Sequence, residues 1–408
     1  MSTELQDLAQ LPVASEPSRY DPVEILCSLI ALPSVNPNSH DLAGPEYHES
    51  RMTAWLGDFF ESLDVPCLFQ EVHPGRHNVI AQLMIPGATR TVLLDAHQDT
   101  VPVEGMIIPP FQPVIRNGRL YGRGACDVKG GMAAMLSAFA QLAEERPAGS
   151  ANVLMACTVD EEYTATGAQC LADIWEQGSR SDLGLPVPDL CLVAEPTDLN
   201  VIVAHRGVVR WKICTAGRAC HSSQPENGVN AIYKMARILD CLEDYARMLA
   251  KNVPHHPLCG GAALSVGRIS GGISVNIVPD QCEIEIDRRL VPGETPSSAM
   301  QEIETYLRSR LDVDFEMAPP WVAMEALSDT HNSFWADELL QHIAHVTGPK
   351  QKQGALYGTN AGRYARQQIP SLIFGPGSIS QAHTVDEWIE ISQLSLARDV
   401  YARFCRGR

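Results

Sequence analysis

The chain predicts an α/β fold: a mixed, largely parallel sheet sandwiched by helices, interrupted once by a smaller ferredoxin-like α+β domain. Three observations carry that reading. Helix and strand patterns alternate from residue 22 to about residue 194, and the strands are apolar on both faces, as buried parallel strands are. Near residue 205 the pattern changes to strands with one wet face. After residue 328 the first pattern returns. Residues 1–204 and 319–408 are therefore assigned to the larger domain and 205–318 to the inserted one.

The elements follow in order. Residues 22–32 and 46–62 read as amphipathic helices, and 77–84 and 91–96 as strands. A helix is expected at 129–145 and strands at 152–159 and 189–194. "RGVVRWKICTAG" opens the inserted segment as a strand. "GVNAIYKMARILDCLEDYARML" follows as a helix, with Ile232, Met235, Ile238, Leu239 and Leu242 on one face. "AALSVGRIS" and "QCEIEIDRRL" are the next two strands, separated by the Gly271–Gly272 pair. In the second, Cys282, Ile284 and Ile286 alternate with Glu283, Glu285 and Asp287, so one face is buried and one is wet. A helix at 296–310 and a strand at 312–317 complete the order strand-helix-strand-strand-helix-strand. "MAPPWV" is the linker back.

Composition excludes several classes. The chain has 408 residues, 45% of them hydrophobic and 20% charged, as ordinary globular proteins have. A net charge of -18 repels a phosphate backbone, so no nucleic-acid partner is expected. The twelve cysteines form no CxxC pair, which argues for reduced thiols in a cytoplasmic protein. The N-terminal "MSTELQDLAQLPVASEPSRY" lacks the basic flank and apolar stretch of a signal peptide. No apolar run reaches the ~18 residues of a membrane span.

The chemistry-bearing residues sit at strand ends and in loops, all in the larger domain. In "TVLLDAHQDTVP" an apolar strand runs into His97 and Asp99, which share a face by their i, i+2 spacing. Asp127 opens the helix "VKGGMAAMLSAFAQL". Glu161 and Glu162 end "NVLMACTVDEE", Glu195 ends "LCLVAEPT", and His383 lies in "GPGSISQAHTVDEW". Taken singly, each reads as a helix cap, a solvated acid or a surface histidine. Together they place imidazoles and carboxylates at the edge where open α/β sheets bind ligands. Carboxylate and imidazole donors without thiolates suit a catalytic zinc site. Five such ligands with one shared carboxylate would hold two metals ~3.5–4 Å apart. Asp99 is then expected to accept the second ring N–H of His97 and fix its tautomer.

At this point the sequence resembles a known family. "AHQDTVP", "GRGACDVKGGMAAML", "DEEY", "AEPT", "HSSQPENGVNAI", "SVNIVPDQCEIEIDRR" and "QAHTVDEW" occur in the order found in the dinuclear-zinc amidohydrolases. These include acetylornithine deacetylase, succinyl-diaminopimelate desuccinylase, aminoacylase and glutamate carboxypeptidase. The resemblance covers the chain from about residue 22 onward. It implies the same two-domain architecture, with the inserted domain making a homodimer. It makes Asp127 the bridging ligand, gives His97 and Glu195 to one metal and Glu162 and His383 to the other, and makes Glu161 the general base. It implies that His221 reaches across the dimer to the tetrahedral oxyanion, and that Arg289, with Asn276 beside it, grips the substrate carboxylate. Thr359 and Asn360, in "YGTNAGRYA", are expected to line the substrate pocket.

Two positions depart from the family pattern. Ala96 stands where glycine is usual, and Asn360 where many members carry Asp. The resemblance is strongest to the acetylornithine deacetylase branch. The expected substrate is accordingly a small N-acyl amino acid such as N-acetylornithine, with zinc as the metal and cobalt or manganese able to replace it. The runner-up enzymes are the desuccinylase and a carboxypeptidase or dipeptidase. A metal-binding module without turnover is the alternative from another class; it would have no need of Glu161.

Overall fold

A computed structural model describes residues 20–38, 40, 42, 44–176 and 183–407. The expectation of no signal peptide falls on the N-terminal stretch, which lies outside the described residues except for Tyr20. Among the described residues no helix is long and apolar enough to cross a membrane.

The larger sheet has eight strands, in the order Cys67–His73, Arg76–Leu83, Asn152–Thr158, Thr91–His97, Leu190–Val193, Ser371–Ile373, Val201–His205 and Lys352–Ala355. The central four, from Asn152–Thr158 to Ser371–Ile373, are mutually parallel, so their carboxyl ends lie along one edge. The two outer strands on the first side pair antiparallel. Cys67–His73 and Val201–His205 were absent from the sequence reading. The first is mostly half-buried and mixes polar with apolar residues, so it shows no long apolar run, and the second merges into the strand after it.

Helices cover both faces. Pro22–Ile30, Ser50–Glu61, Lys129–Glu145 and Ile391–Arg406 pack on one face, and Thr166–Asp173 and Ala361–Arg366 on the other. Helix Lys129–Glu145 is buried almost all round, which its run of Gly, Ala and Ser allows. A Cβ at Gly131 would come within 2.8 Å of the Ala194 side chain. The glycine therefore lets the helix start rest directly against the strand end that carries Glu195.

The smaller sheet has the order Ala263–Gly271, Gln281–Leu290, Gly207–Ala216, Glu316–Met317, all antiparallel. Helices Ala231–Asn252 and Pro296–Arg310 cover its apolar face, where Trp211, Ile213, Ile284 and Ile286 are buried. The helix starts are capped: Asn230 accepts from Tyr233 N, and Thr295 forms a capping box with Ser298. The strand expected at 312–317 shrinks to its last two residues. The sheet also continues past residue 318, because Val322–Met324 pairs with Gly207–Ala216. The α/β fold with an inserted α+β unit is thus present.

Candidate metal centre and substrate cavity

The parallel register brings the acids together. His97 pairs with Thr158, and Asp95 with Val193, so the chain leaves all three strands at the same level. Beyond Thr158 come Glu161 and Glu162; beyond Val193 comes Glu195. Asp127 arrives from the turn before helix Lys129–Glu145, and His383 from the loop after Ser371–Ile373.

Asp127 lies between the two histidines. Its Oδ1 is 3.2 Å from His97 Nε2 and its Oδ2 is 3.2 Å from His383 Nε2. His383 Nε2 is also 3.2 Å from Glu162 Oε2. The donor atoms of His97, Asp127 and Glu195 all lie within 4.8 Å of one another, and so do those of Asp127, Glu162 and His383. The two groups share only Asp127.

The electrostatics call for cations. Among the described residues no Lys or Arg pairs with Asp127, Glu161, Glu162 or Glu195. Burial pushes the Glu161 carboxyl up to about 8, with further repulsion from Glu162 and Asp127. Burial and Asp127 push Glu162 up to about 7, and burial with the neighbouring carboxylates raises Glu195 well above the usual range. Asp127 goes the other way: burial opposes its charge, but His383 and His97 outweigh it. Hydrogen bonding to Asp127 and Glu162 lifts His383 to about 11. Glu162 Oε1 is buried without a hydrogen-bond partner. Four carboxylates crowded in an apolar setting, one with an orphaned oxygen, fit divalent ions and no neutral ligand.

The surrounding hydrogen bonds fix this arrangement. His97 Nδ1 donates to the Asp99 carbonyl at 2.9 Å, which leaves Nε2 facing Asp127. This corrects the sequence reading, which assigned that bond to the Asp99 carboxylate; its nearest oxygen is 3.7 Å away. The carboxylate instead accepts from Asn36 Nδ2 at 2.8 Å and from the backbone N–H groups of Glu161 and Glu162, both at 3.1 Å. Asp99 therefore holds the Glu161–Glu162 turn in place. Asp160, with φ 65°, steers the same turn: its carboxylate accepts from Asn36 and Arg76 at 3.0 Å each.

Glu387 was missed in the sequence although "HTVDEW" contains it. Its carboxylate is fully buried and accepts four donors: Arg123 Nη1 at 2.7 Å and the backbone N–H groups of Gly124, Cys126 and Asp127 at 3.0, 2.8 and 3.0 Å. It ties the His383 loop to the loop that carries Asp127.

A cavity of about 360 Å³ opens over the cluster. Asp127, Glu161, Glu162, Glu195 and His383 form one wall, and Arg289 and Arg210 line the other. Arg289, expected to grip the substrate carboxylate, is one of the lining residues. His221 and Asn276 are not among the lining residues. They sit beside each other on small-domain loops, where His221 Nδ1 contacts Ser223 Oγ and Asn276 O accepts from Ser222 N.

Thr359 and Asn360 also need correction. Tyr357 and Gly358 line the cavity, but Thr359 and Asn360 turn away from it and are buried. Asn360 Nδ2 donates to Asp95 Oδ2 at 3.0 Å and to Thr158 Oγ1 at 3.1 Å. The buried Asp95 carboxylate needs a donor, and an aspartate at 360 would give it a second negative charge instead.

Fold and site together define a metal-dependent hydrolase of the α/β type. A family model described as Peptidase family M20/M25/M40 matches residues 93–407, and the chain belongs to that family. It is 31% identical over 373 residues to an acetylornithine deacetylase of Vibrio atlanticus (strain LGP32), covering 89% of this chain and 92% of that one. It is 30% identical to an acetylornithine deacetylase of Myxococcus xanthus, covering 81% and 85%. In fold it is similar to an M20 family metallo-carboxypeptidase from Sulfolobus solfataricus, with TM-score 0.75 at 18% identity, covering 95% of this chain and 98% of that one.

Proposed function

We propose that the chain hydrolyses the amide bond of an N-α-acyl amino acid, with acetyl as the acyl group. The observation that carries this is a cavity with a carboxylate–imidazole cluster on one wall and the Arg289 guanidinium on the other. An amide placed at the cluster leaves its amino-acid carboxylate to face the arginine, whose fork suits it. The acetylornithine deacetylases among the relatives support the same bond and the same acyl group; N-acetylornithine is the substrate that resemblance alone names, before the charges of the cavity are weighed. Which amino acid leaves is a matter for the cavity wall that carries Arg289.

In this reading His97, Asp127 and Glu195 hold one divalent ion, zinc in the first place, and Asp127, Glu162 and His383 hold a second. When bound, the ions polarise the amide carbonyl and acidify the attacking water. Glu161 lines the cavity and takes the water's proton. It then delivers a proton to the departing nitrogen. His97 is held in one tautomer by the Asp99 carbonyl, and the Asp99 carboxylate keeps Glu161 aimed. His221 and Asn276 do not line this chain's cavity, so their part in oxyanion and substrate binding is assigned to a second copy of the chain, docked through the inserted domain. The residues 205–318 are taken as that domain. All twelve cysteines are free thiols, which supports a reducing, cytoplasmic setting.

The test is hydrolysis by metal-stripped protein, with and without added zinc or cobalt. The substrates are N-acetylornithine, N-acetylmethionine, N-succinyl-diaminopimelate and a dipeptide. Metal-dependent release of acetate supports the proposal. Turnover of the dipeptide alone would replace it with the peptidase reading.

A further inference from the structure

The second wall of the cavity carries a group that neither the motifs nor the family resemblance assigns. In the antiparallel pairing of Gly207–Ala216 with Gln281–Leu290, Arg210 faces Asp287 and Val208 faces Arg289. Arg210, Asp287 and Arg289 are half-buried on one face of the small sheet, opposite the buried Trp211 and Ile286; Val208, on the same face, is buried against Val322 and Met324. Asp287 divides its carboxylate between the two arginines. Its Oδ2 accepts from Arg210 Nε at 2.8 Å and its Oδ1 from Arg289 Nε at 2.6 Å. Both guanidinium groups are therefore oriented through Nε, and their terminal nitrogens donate to no other group among the described residues. Both line the cavity that reaches Asp127 and Glu161.

The charges on this wall do not balance. Two guanidinium groups share one carboxylate. Further along the same face Lys212 already has Glu283 at 3.0 Å and Glu285 at 3.5 Å, so no acid is left over to neutralise the pair. The acidic residues that line the cavity are those of the metal cluster: Asp127, Glu161, Glu162 and Glu195. An ammonium on the leaving amino acid would meet two fixed cations and no free carboxylate. A second carboxylate would meet an open guanidinium fork.

We propose that Arg210 is a specificity-determining residue: Arg289 takes the α-carboxylate, Arg210 takes a second carboxylate on the amino-acid side chain, and a cationic side chain is rejected. The substrate class is then an N-acyl derivative of an acidic amino acid. The chemistry assumed is the deacylation proposed above, and the preference among side chains is separate from it. Charge-assisted bidentate contacts of this kind discriminate strongly, because the wrong partner leaves the fork unpaired or repelled.

The experiment compares the metal-loaded wild type with Arg210→Gln and Arg210→Lys on N-acetylglutamate, N-acetylmethionine and N-acetylornithine. The wild type is expected to prefer them in that order. In Arg210→Gln the ratio of kcat/KM for N-acetylglutamate to that for N-acetylmethionine should fall roughly 10–100-fold, the worth of one hydrogen-bonded charge contact, with the loss in KM. N-acetylornithine should gain relative to both. Arg210→Lys, which keeps the charge and loses the fork, should keep more of the acidic preference than Arg210→Gln, which a purely structural role would not require. Calorimetric titration of free glutamate, methionine and ornithine into the same proteins reads the preference without turnover. If only dipeptides are cleaved, the deacylase reading falls and the titration alone decides the role of Arg210. A wild-type preference for ornithine, or equal losses on all three ligands, overturns the proposal.

Discussion

Replacing Glu387 by glutamine tests whether the metal site is held from behind. The carboxylate is surrounded only by donors, two on each oxygen. An amide keeps one oxygen and points an NH₂ group at the other two donors, so two hydrogen bonds to a charged group are lost. At about 1.5–3 kcal/mol each, the expected destabilisation is about 3–6 kcal/mol. That is the range seen when one partner of a buried ion pair, here with Arg123, is removed, about 3–5 kcal/mol. The local consequence is more telling. Glu387 anchors the backbone N–H of Asp127, the residue shared by both donor groups, so metal affinity should drop by roughly 10–100-fold. The assay is metal content after dialysis against graded chelator, alongside urea unfolding of the same sample. A Glu387→Gln protein that unfolds earlier yet binds metal as tightly as the wild type would refute the argument. It would mean that the Asp127 loop keeps its place without this anchor.

Three further outcomes follow from the same geometry. Glu161→Gln should keep its full metal content and lose activity by about 10²–10⁴-fold; loss of metal along with activity would make Glu161 a ligand instead. Asn360→Asp sets a second carboxylate against Asp95, whose carboxyl burial already pushes up to about 6. The folded state then holds a proton that the unfolded chain releases above about pH 4, so stability falls as pH rises. The urea midpoint of the variant should lie well below wild type at pH 8 and recover towards it at pH 5; a pH-independent deficit would assign the cost to packing. His221→Ala should keep its metals and lose roughly 2.7–4 kcal/mol of transition-state stabilisation, and mixing it with a metal-ligand variant should restore part of the activity in heterodimers. No restoration would place His221 outside the reaction in trans.

Much of this was readable along the chain. The buried strands, the inserted strand-helix order and the acids at strand ends are local patterns, set by side-chain periodicity and by the need to end an apolar run. His97, Asp127, Glu161, Glu162, Glu195 and His383 could be singled out because metal-binding chemistry needs those residue types in company. Their convergence was inferred from the parallel-sheet rule, and the register of Thr91–His97 with Asn152–Thr158 and Leu190–Val193 supplies it.

Other features belong to the tertiary structure alone. Whether His97 bonds the carbonyl or the carboxylate of Asp99 depends on backbone angles at one turn, which spacing does not specify. Asn360 faces Asp95 across 265 positions of sequence, and Glu387 reaches Asp127 across 260. No local pattern marks such pairs, because a buried carboxylate takes whatever donors the fold brings to it. The sequence reading singled out nothing at Arg210, which lies inside the strand pattern "RGVVRWKICTAG". Only the pairing of its strand with Gln281–Leu290, and the placing of that sheet over the carboxylate cluster, turns it towards the cavity.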